Sequence, residues 1–265
     1  PRIPPEAVMR MYRGREVDPR RGGDLMRAVD APAERAGLPG RPRLYIIPSS
    51  TLNAFATGTP ERAAVGVTEG LLRRLSLREL AGVLAHELSH IRSNDLLVMG
   101  LADVMTRLTQ LFSLTAIVLA VLNVLSWLAG GETVSWLAIA LLYLAPTASS
   151  LLQLGLSRTR EYDADLDAAT LTGDPIGLAA ALRSLEQYQG RFWEDLMLPV
   201  PGRRVPQPSL LRTHPETEDR IARLVELARR PMRPQIALGE VALAALVEER
   251  LAGLLPRRRW TGLWY

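Results

Sequence analysis

Two histidines stand four residues apart, with a glutamate directly after the first, in the segment His86-Glu87-Leu88-Ser89-His90. Residues four apart share one face of a helix, so His86 and His90 can direct their imidazoles at a single metal ion. Two neutral imidazoles suit zinc. Glu87 would lie about 100° further round the helix, where its carboxylate reaches a water molecule rather than the metal. The pattern predicts two zinc ligands and a general base, which is most of the machinery of a zinc peptidase.

The alternative interpretation is a surface helix that carries these three residues by chance. The chain has only three histidines, and two of them fall in this segment. Residues 77–84, just before it, place apolar side chains at helical spacing, so the polar residues arrive on a stripe that is otherwise buried. Metal binding explains polar residues in such a place, and we favour it over chance.

A catalytic zinc usually takes three protein ligands and leaves a fourth position for water. The chain has no cysteine, so the third ligand must be His214 or a carboxylate. Glu161 and Asp165 are four apart in a charged segment, residues 160–167, that follows a long apolar run. We predict that Glu161 binds the metal and that Asp165 accepts a hydrogen bond from the far nitrogen of a ligand histidine. The neighbouring acids are expected to be solvated at a helix start, where the dipole favours them: Asp163 and Asp167.

Four blocks of the chain, taken in order, resemble the HtpX family of membrane zinc metalloproteases, which are related to the CAAX prenyl endopeptidases. They are residues 53–58 (Asn-Ala-Phe-Ala-Thr-Gly), the His86 segment, residues 161–165, and residues 213–215 (Thr-His-Pro). The resemblance extends from about Met11 to about Leu227. It implies one zinc ion per chain, bound by His86, His90 and Glu161, with Glu87 as the catalytic base. The family's usual Ser-Thr-His-Pro reads Arg-Thr-His-Pro here, from residue 212.

A zinc peptidase must also stabilise the oxyanion of its tetrahedral intermediate, to which a well-aimed donor contributes ~3 kcal/mol. His214 precedes a predicted helix over residues 218–229, and Arg220 lies in its first turn. Either residue could be that donor; the alternatives are a capping histidine and a surface arginine. The resemblance favours the functional interpretation for His214 and leaves both open for Arg220.

The fold class expected is mainly α with a small β-sheet (α+β), and the resemblance implies a zincin-like peptidase domain. Such enzymes hold a substrate as an added strand on a sheet edge. The resemblance assigns that edge to Asn53, Ala54 and Phe55, although an ordinary strand is the alternative. The predicted elements before the His86 segment are a helix over residues 24–36, strands over 44–47, 53–57 and 63–68, and a helix beginning near residue 77.

Two long runs without charge, residues 108–131 and 133–157, are each long enough to cross a bilayer as helix, which takes ~20 residues. Trp127 and Trp136 lie near the short connection between the two runs, where an interfacial aromatic belt is expected. Arginines precede the first run and follow the second, which favours the cytoplasm for both of these ends. We predict a transmembrane hairpin over 107–157, inserted between parts of the peptidase domain at 1–106 and 158–265. A buried apolar hairpin in a soluble core is the alternative.

Composition indicates which partners and which irregular segments to expect. The net charge is +4 and the arginines are dispersed without an aromatic platform, so nucleic acid is not an expected partner. Residues 257–260 (Arg-Arg-Arg-Trp) are either an anchor for anionic lipid or a frayed terminus. Prolines in residues 198–208 predict a loop near the cleft. Members of the HtpX family usually have two further membrane helices ahead of the catalytic part. Their absence here indicates either a trimmed chain or a shorter variant, and we expect a trimmed chain.

Taken together, the resemblance implies an endopeptidase of the cytoplasmic membrane, multi-pass, whose active site faces the cytoplasm. Its implied substrates are misfolded or damaged membrane proteins and other unfolded chains, with the lipid bilayer as a partner. Two alternatives stay open: a chaperone-like binding protein whose zinc is structural, and a CAAX-type protease that cuts prenylated tails. The sequence leaves the oligomeric state open.

Overall fold

The computed structural model describes residues 4–196, 217–239 and 243. Its described part is mainly helical with one small sheet, as the sequence predicted. The elements in chain order are α1 (Pro5–Met11), β1 (Arg15–Glu16), α2 (Gly23–Arg35), β2 (Arg43–Ile47), β3 (Ala54–Thr59), β4 (Arg62–Thr68), α3 (Glu69–Arg74), α4 (Leu77–Arg92), α5 (Asp95–Leu128), α6 (Trp136–Thr172), α7 (Pro175–Leu196) and α8 (Thr217–Leu227).

The chain divides into two compact units. The first, which we call the split unit, contains residues 1–93 and 162–265, and the second, the hairpin unit, contains residues 94–161. The hairpin unit extends further at both ends than the segment 107–157 that we predicted to lie in a membrane, because both long helices continue through charged turns at their base.

The sheet of the split unit has the strand order β1-β2-β4-β3. Strands β2 and β4 are parallel, and β3 pairs antiparallel with β4 from Ala54 opposite Val67 to Thr59 opposite Arg62. Strand β3 therefore forms one edge of the sheet in the described part of the chain. One face packs its apolar side chains into a core shared with α2 and α4, and the other face packs against Met9 of α1.

Helix α4 runs through the centre of the split unit. Ser76 and Glu79 form a capping box at its start: Ser76 accepts from the Glu79 amide and Glu79 accepts from the Ser76 amide at 2.8 Å. A Cβ placed on Gly82 would lie 3.0 Å from the Cα of Leu178, so this glycine allows α7 to pack closely against α4. With α2, α7 and β3 all packed on it, α4 is a rigid element on which to place reactive side chains.

The hairpin unit consists of α5 and the first part of α6. The candidate membrane spans are Leu97–Leu128 and Trp136–Thr172, with mean hydropathies of 2.2 and 1.6. Only 11% and 6% of their most apolar windows are buried inside the described structure. A soluble core helix would bury most of its apolar side chains, so the exposure argues against the buried-hairpin alternative. Pro146 lies within α6 without ending it.

Polar contacts hold the hairpin unit together from within. Asn123 closes the connecting loop by accepting from the Val134 amide at 2.7 Å and donating to the Val134 carbonyl at 2.8 Å. At the base, the buried carboxylate of Asp95 lies 2.8 Å from Nη1 of Arg160, the residue directly before Glu161. Such interhelical pairs are a usual means of fixing two helices whose outer surfaces are apolar.

Candidate active site

His86 and His90 lie one turn apart on α4, with His86 almost fully buried. Their Nε2 atoms are 3.2 Å apart and their rings are nearly perpendicular, at 89°. Glu161 lies beside them, and one ligand atom from each of the three side chains lies within 4.8 Å of the other two. The fold therefore brings Glu161 beside two histidines that lie 71 and 75 residues earlier in the sequence, as the sequence analysis expected.

The chemistry and spacing of this donor set fit a zinc ion. Two ligands of a tetrahedral zinc, each about 2.0–2.1 Å from the metal, are separated by about 3.3 Å. The 3.2 Å between the two imidazole nitrogens matches that separation. Two imidazoles with one carboxylate are also the ligands of a known class of catalytic zinc sites, in which a fourth position stays open.

Asp165 fixes the orientation of His86. Its Oδ1 lies 3.0 Å from Nδ1 of His86, the nitrogen that faces away from His90. A carboxylate there favours the tautomer with the proton on Nδ1, which leaves the Nε2 lone pair for a metal. Both side chains are buried, at 2% and 6% exposure. The geometry agrees with the predicted contact between Asp165 and the far nitrogen of a histidine.

Arg220 of α8 holds Asp165 from the opposite side. Its Nε donates to Oδ2 of Asp165 at 2.7 Å and its Nη2 to Oδ1 at 2.6 Å. Burial alone would raise the pKa of Asp165, but hydrogen bonds from Arg220 and His86 hold that pKa below its usual value. Because its pKa is lowered, Asp165 is an ionised acceptor between a guanidinium and an imidazole. It lies in the part of α6 that belongs to the split unit, outside the segment 107–157.

Asp167 makes contacts that the sequence pattern does not predict. The pattern predicts a solvated acid at a helix start, but α6 is continuous from Trp136, so no helix begins at Asp167. Instead Asp167 accepts from the Ser89 hydroxyl at 2.9 Å and from Nη1 of Arg92 at 3.3 Å. The signal was Ser89, a hydroxyl inside a buried helix segment, which needs a hydrogen-bond partner. Asp163, its neighbour in the same expectation, is exposed as predicted.

Glu87 lies against β3, the strand at one edge of the sheet in the described part of the chain. Its Oε2 accepts from the backbone amide of Ala56 in β3 at 3.3 Å, and its side chain is buried at 7% exposure. The Asn53 carbonyl accepts from the Thr68 amide, so alternate residues of β3 face β4 while Ala54 and Ala56 direct their backbone groups outward. The general base predicted from sequence therefore lies beside the strand predicted to hold substrate.

The other predicted site residues lie as follows. Asn53 directly precedes β3, and Ala54 and Phe55 are the first two residues of that strand. Arg220 contacts Asp165, as described above. Three predictions fall outside the described residues: the oxyanion donor His214, the loop over 198–208 and the lipid anchor over 257–260.

Comparison with known proteins agrees with the geometry. The model of peptidase family M48 matches residues 19–228. A protease HtpX homologue of Acaryochloris marina is 41% identical over 246 residues, which cover 88% of this chain and 82% of the relative. One from Desulfatibacillum aliphaticivorans is 40% identical, covering 82% and 73%, and one from Paraburkholderia phytofirmans is 39% identical, covering 84% and 80%.

A solved structure shares the fold. The crystal structure of S. mikatae Ste24p superposes with a TM-score of 0.50 at 22% identity, covering 82% of this chain. This chain spans about half the length of that protein, 52%, so the likeness supports the fold alone.

A mainly helical fold with a small sheet, and a histidine pair that meets a glutamate from a second helix, define a metalloprotease of the zincin type. The chain belongs to peptidase family M48, where its relatives are the HtpX proteases. The enzyme class and the family suggested by the four sequence blocks are thereby confirmed.

Proposed function

We propose that this metalloprotease is a zinc-dependent endopeptidase of the cytoplasmic membrane that cuts misfolded or damaged proteins. One observation carries the proposal: the ligand atoms of His86, His90 and Glu161 lie within 4.8 Å of one another, with Glu87 adjacent on α4. Three ligand atoms gathered among the described residues, with a further carboxylate next to His86 on α4, support a catalytic site rather than a structural site closed by four protein ligands.

Each residue has a distinct task in the proposed reaction. A zinc ion, when bound, supplies a Lewis acid that polarises a peptide carbonyl and lowers the pKa of water towards neutrality. Glu87 takes a proton from the attacking water and passes it to the leaving amine. Asp165 holds the imidazole of His86 in the tautomer that presents Nε2. His214 remains the proposed oxyanion donor.

We assign Arg220 a positioning task instead of direct contact with the oxyanion. Its guanidinium makes two hydrogen bonds to Asp165 and its side chain is only 4% exposed. An ionised aspartate in a buried place is stable only when it is paired and hydrogen-bonded. Arg220 therefore acts on the metal site through Asp165 and His86.

The substrate backbone is proposed to pair with β3. An extended peptide gains affinity from main-chain hydrogen bonds along a sheet edge. The outward backbone groups of Ala54 and the carbonyl of Ala56 provide that edge, and Glu87 accepts from the adjacent amide of Ala56. Pairing there brings the scissile peptide beside the general base. It also explains how unfolded chains of varied sequence could be cut, since backbone groups are common to all of them.

The proposed membrane location rests on the hairpin unit. Two long helices expose apolar side chains over most of their length, and a bilayer would cover that surface. The flanking arginines favour a cytoplasmic position for both ends.

Because the chain contains no cysteine, single cysteines can report this orientation without background. We expect Glu132→Cys, in the loop, to react with a membrane-impermeant maleimide on intact cells, and Arg158→Cys to react only after lysis. Reaction of both cysteines in intact cells would exclude a spanning hairpin, and the reverse pattern would exclude the cytoplasmic orientation.

Two other functions have less support. A chaperone-like protein with structural zinc would close the site with four protein ligands, whereas three donors gather here among the described residues. A CAAX-type protease draws support only from the likeness to Ste24p, which concerns the fold.

Cleavage of casein by the detergent-purified protein tests the proposed function. We expect cleavage to stop when a chelator removes the metal and to return when zinc is added, while the thermal unfolding profile shows that the chain stays folded. Cleavage that survives complete removal of the metal would contradict the proposal. So would the absence of cleavage by protein that carries zinc.

A further inference from the structure

An aromatic pair lies on the outer face of β3, away from α4. The ring of Phe55 packs partly against Met9 and Ala64, on the face of the sheet opposite the core shared with α4. The ring of Tyr12, at the end of α1, lies 5.1 Å from the ring of Phe55 and is tilted by 55°. This separation and tilt are typical of a favourable aromatic contact.

Much of this aromatic surface is open to solvent. Tyr12 is 54% exposed and the adjacent Met11 is 77% exposed, although both side chains are large and apolar. Gly66 lies directly opposite Phe55 in the ladder, and the Phe55 ring approaches within 3.2 Å of where its Cβ would be. Because Gly66 has no side chain, the Phe55 ring can lie over β4 and contact the Tyr12 ring. We call these two rings, which lie along the edge strand β3, the wall.

The register of β3 determines what can reach this wall. Residues of a strand alternate between the two faces of a sheet, and directly opposed residues of paired strands point to the same face. A peptide paired with the outward edge of β3 would place the side chain opposite Phe55 on the wall's face. The residues on either side of it would point towards α4, on the face of Ala54 and Ala56.

The position of Glu87 relates the wall to the reaction. Glu87 accepts from the amide of Ala56, the residue next to Phe55. Each residue of β3 would lie opposite one residue of a paired peptide. A substrate residue opposite Phe55 would therefore lie within about two residues of the peptide bond at which Glu87 acts as base.

We propose that Tyr12 and Phe55 form a subsite that selects a large apolar or aromatic substrate residue within two positions of the scissile bond. This inference rests on the proposed function, because its occupant is the peptide paired with β3. Backbone pairing with β3 accepts any substrate sequence. The subsite adds a preference for large apolar residues at the one substrate position that lies opposite Phe55. Unfolded chains expose such residues and folded ones bury them.

The test begins with the positions at which the detergent-purified full chain cuts denatured casein, mapped by mass spectrometry. We expect large apolar residues to be enriched at one position near the cut. Two fluorogenic peptides are then made on the best site, one with phenylalanine at that position and one with alanine. The ratio of their kcat/KM values measures the preference, which we expect to exceed about tenfold.

Tyr12→Ala is expected to reduce that ratio about fivefold to tenfold, because half of the wall is removed. Tyr12 is exposed, so its loss should not affect folding, which a thermal unfolding profile checks. Tyr188→Ala is the matched control: it removes an exposed tyrosine from α7, which packs against α4 and α8, and should leave the ratio unchanged. Phe55→Leu provides a second variant, which keeps an apolar side chain and should reduce the ratio less.

Binding separates failure of the subsite from failure of the proposed function. In Glu87→Gln protein, fluorescence anisotropy of the labelled peptides should show the same preference and the same loss on Tyr12→Ala. Equal kcat/KM values for both peptides in the unsubstituted enzyme, or an equal effect of Tyr12→Ala on both, would overturn the subsite and leave the protease proposal intact. If casein is not cut at all, the protease proposal fails, and the binding ratio alone decides whether the wall selects apolar residues.

Discussion

Replacing Glu87 by glutamine should abolish cleavage of casein while the protein keeps its fold and its metal. A general base contributes about 10²–10⁴-fold to the rate of a reaction of this kind. Glutamine has the same size and its carbonyl oxygen can still accept from the Ala56 amide, so the buried contact with β3 is preserved. The amide cannot take a proton from water, so we expect a loss of about 10³-fold or more.

The rate of release of labelled casein fragments measures this loss, with the metal content of the same sample determined in parallel. Glu186→Gln makes the same chemical change at an exposed position of α7 and should retain full activity. If Glu87→Gln protein that contains metal cuts casein at the normal rate, Glu87 is not the base.

Replacing Asp165 by asparagine should weaken metal binding about 10- to 100-fold, the usual cost of losing a residue that orients a metal ligand. The contact between Asp165 and Nδ1 of His86 favours the histidine tautomer that presents Nε2. A neutral amide can face that nitrogen in either of two ways and so no longer imposes the tautomer.

The same change should also reduce the stability of the metal-free protein. Arg220 is 4% exposed, and breaking a buried ion pair from one side typically costs about 3–5 kcal/mol, because a buried charge loses its counter-charge. Competition with a chelator of known affinity gives the metal affinity, and thermal unfolding without metal gives the stability.

Asp167→Asn is the matched control for Asp165→Asn. It makes the same change two residues further along α6, at a half-exposed carboxylate that contacts Ser89 and Arg92 rather than a proposed ligand. It should reduce metal affinity far less. Equal affinities in Asp165→Asn and unsubstituted protein would show that Asp165 does not orient His86.

Local spacing was sufficient to predict much of this molecule. The His-Glu-x-x-His pattern on an amphipathic segment predicted α4, which begins at Leu77 as expected. The strand pattern predicted β2, β3 and β4 to within two residues at each end. The four-residue step from Glu161 to Asp165 placed both side chains on one face of α6. Glu161 lies beside the two histidines, and Asp165 lies beside His86.

Contacts between distant segments could not be predicted in the same way. Arg220 is 55 residues from Asp165, and its surface alternative was plausible until α8 was seen to pack on the site. Ser89 and Asp167 are 78 residues apart, and neither has a local pattern that names the other. The contact of Glu87 with the Ala56 amide depends on a backbone group, which no side-chain pattern specifies.

The boundary of the apolar hairpin illustrates a further limit. Charge predicted that the membrane-spanning segment ends at residue 157, and the helix α6 itself continues to Thr172, because backbone hydrogen bonding does not stop where hydropathy does. One continuous helix therefore carries both the exposed apolar surface and the acids that contact α4. The composition of the sequence indicates an apolar segment followed by a charged one, whereas in the structure both segments belong to the single helix α6.

We propose above all that His86, His90 and Glu161 bind one catalytic zinc ion. X-ray absorption at the zinc edge of purified Glu87→Gln protein reports the zinc ligands, and this variant is not expected to cleave itself during purification. We expect one zinc per chain, surrounded by two imidazole nitrogens and oxygen ligands. A zinc with a different set of protein ligands, or zinc that remains at full occupancy when His86, His90 and Glu161 are all replaced, would contradict it.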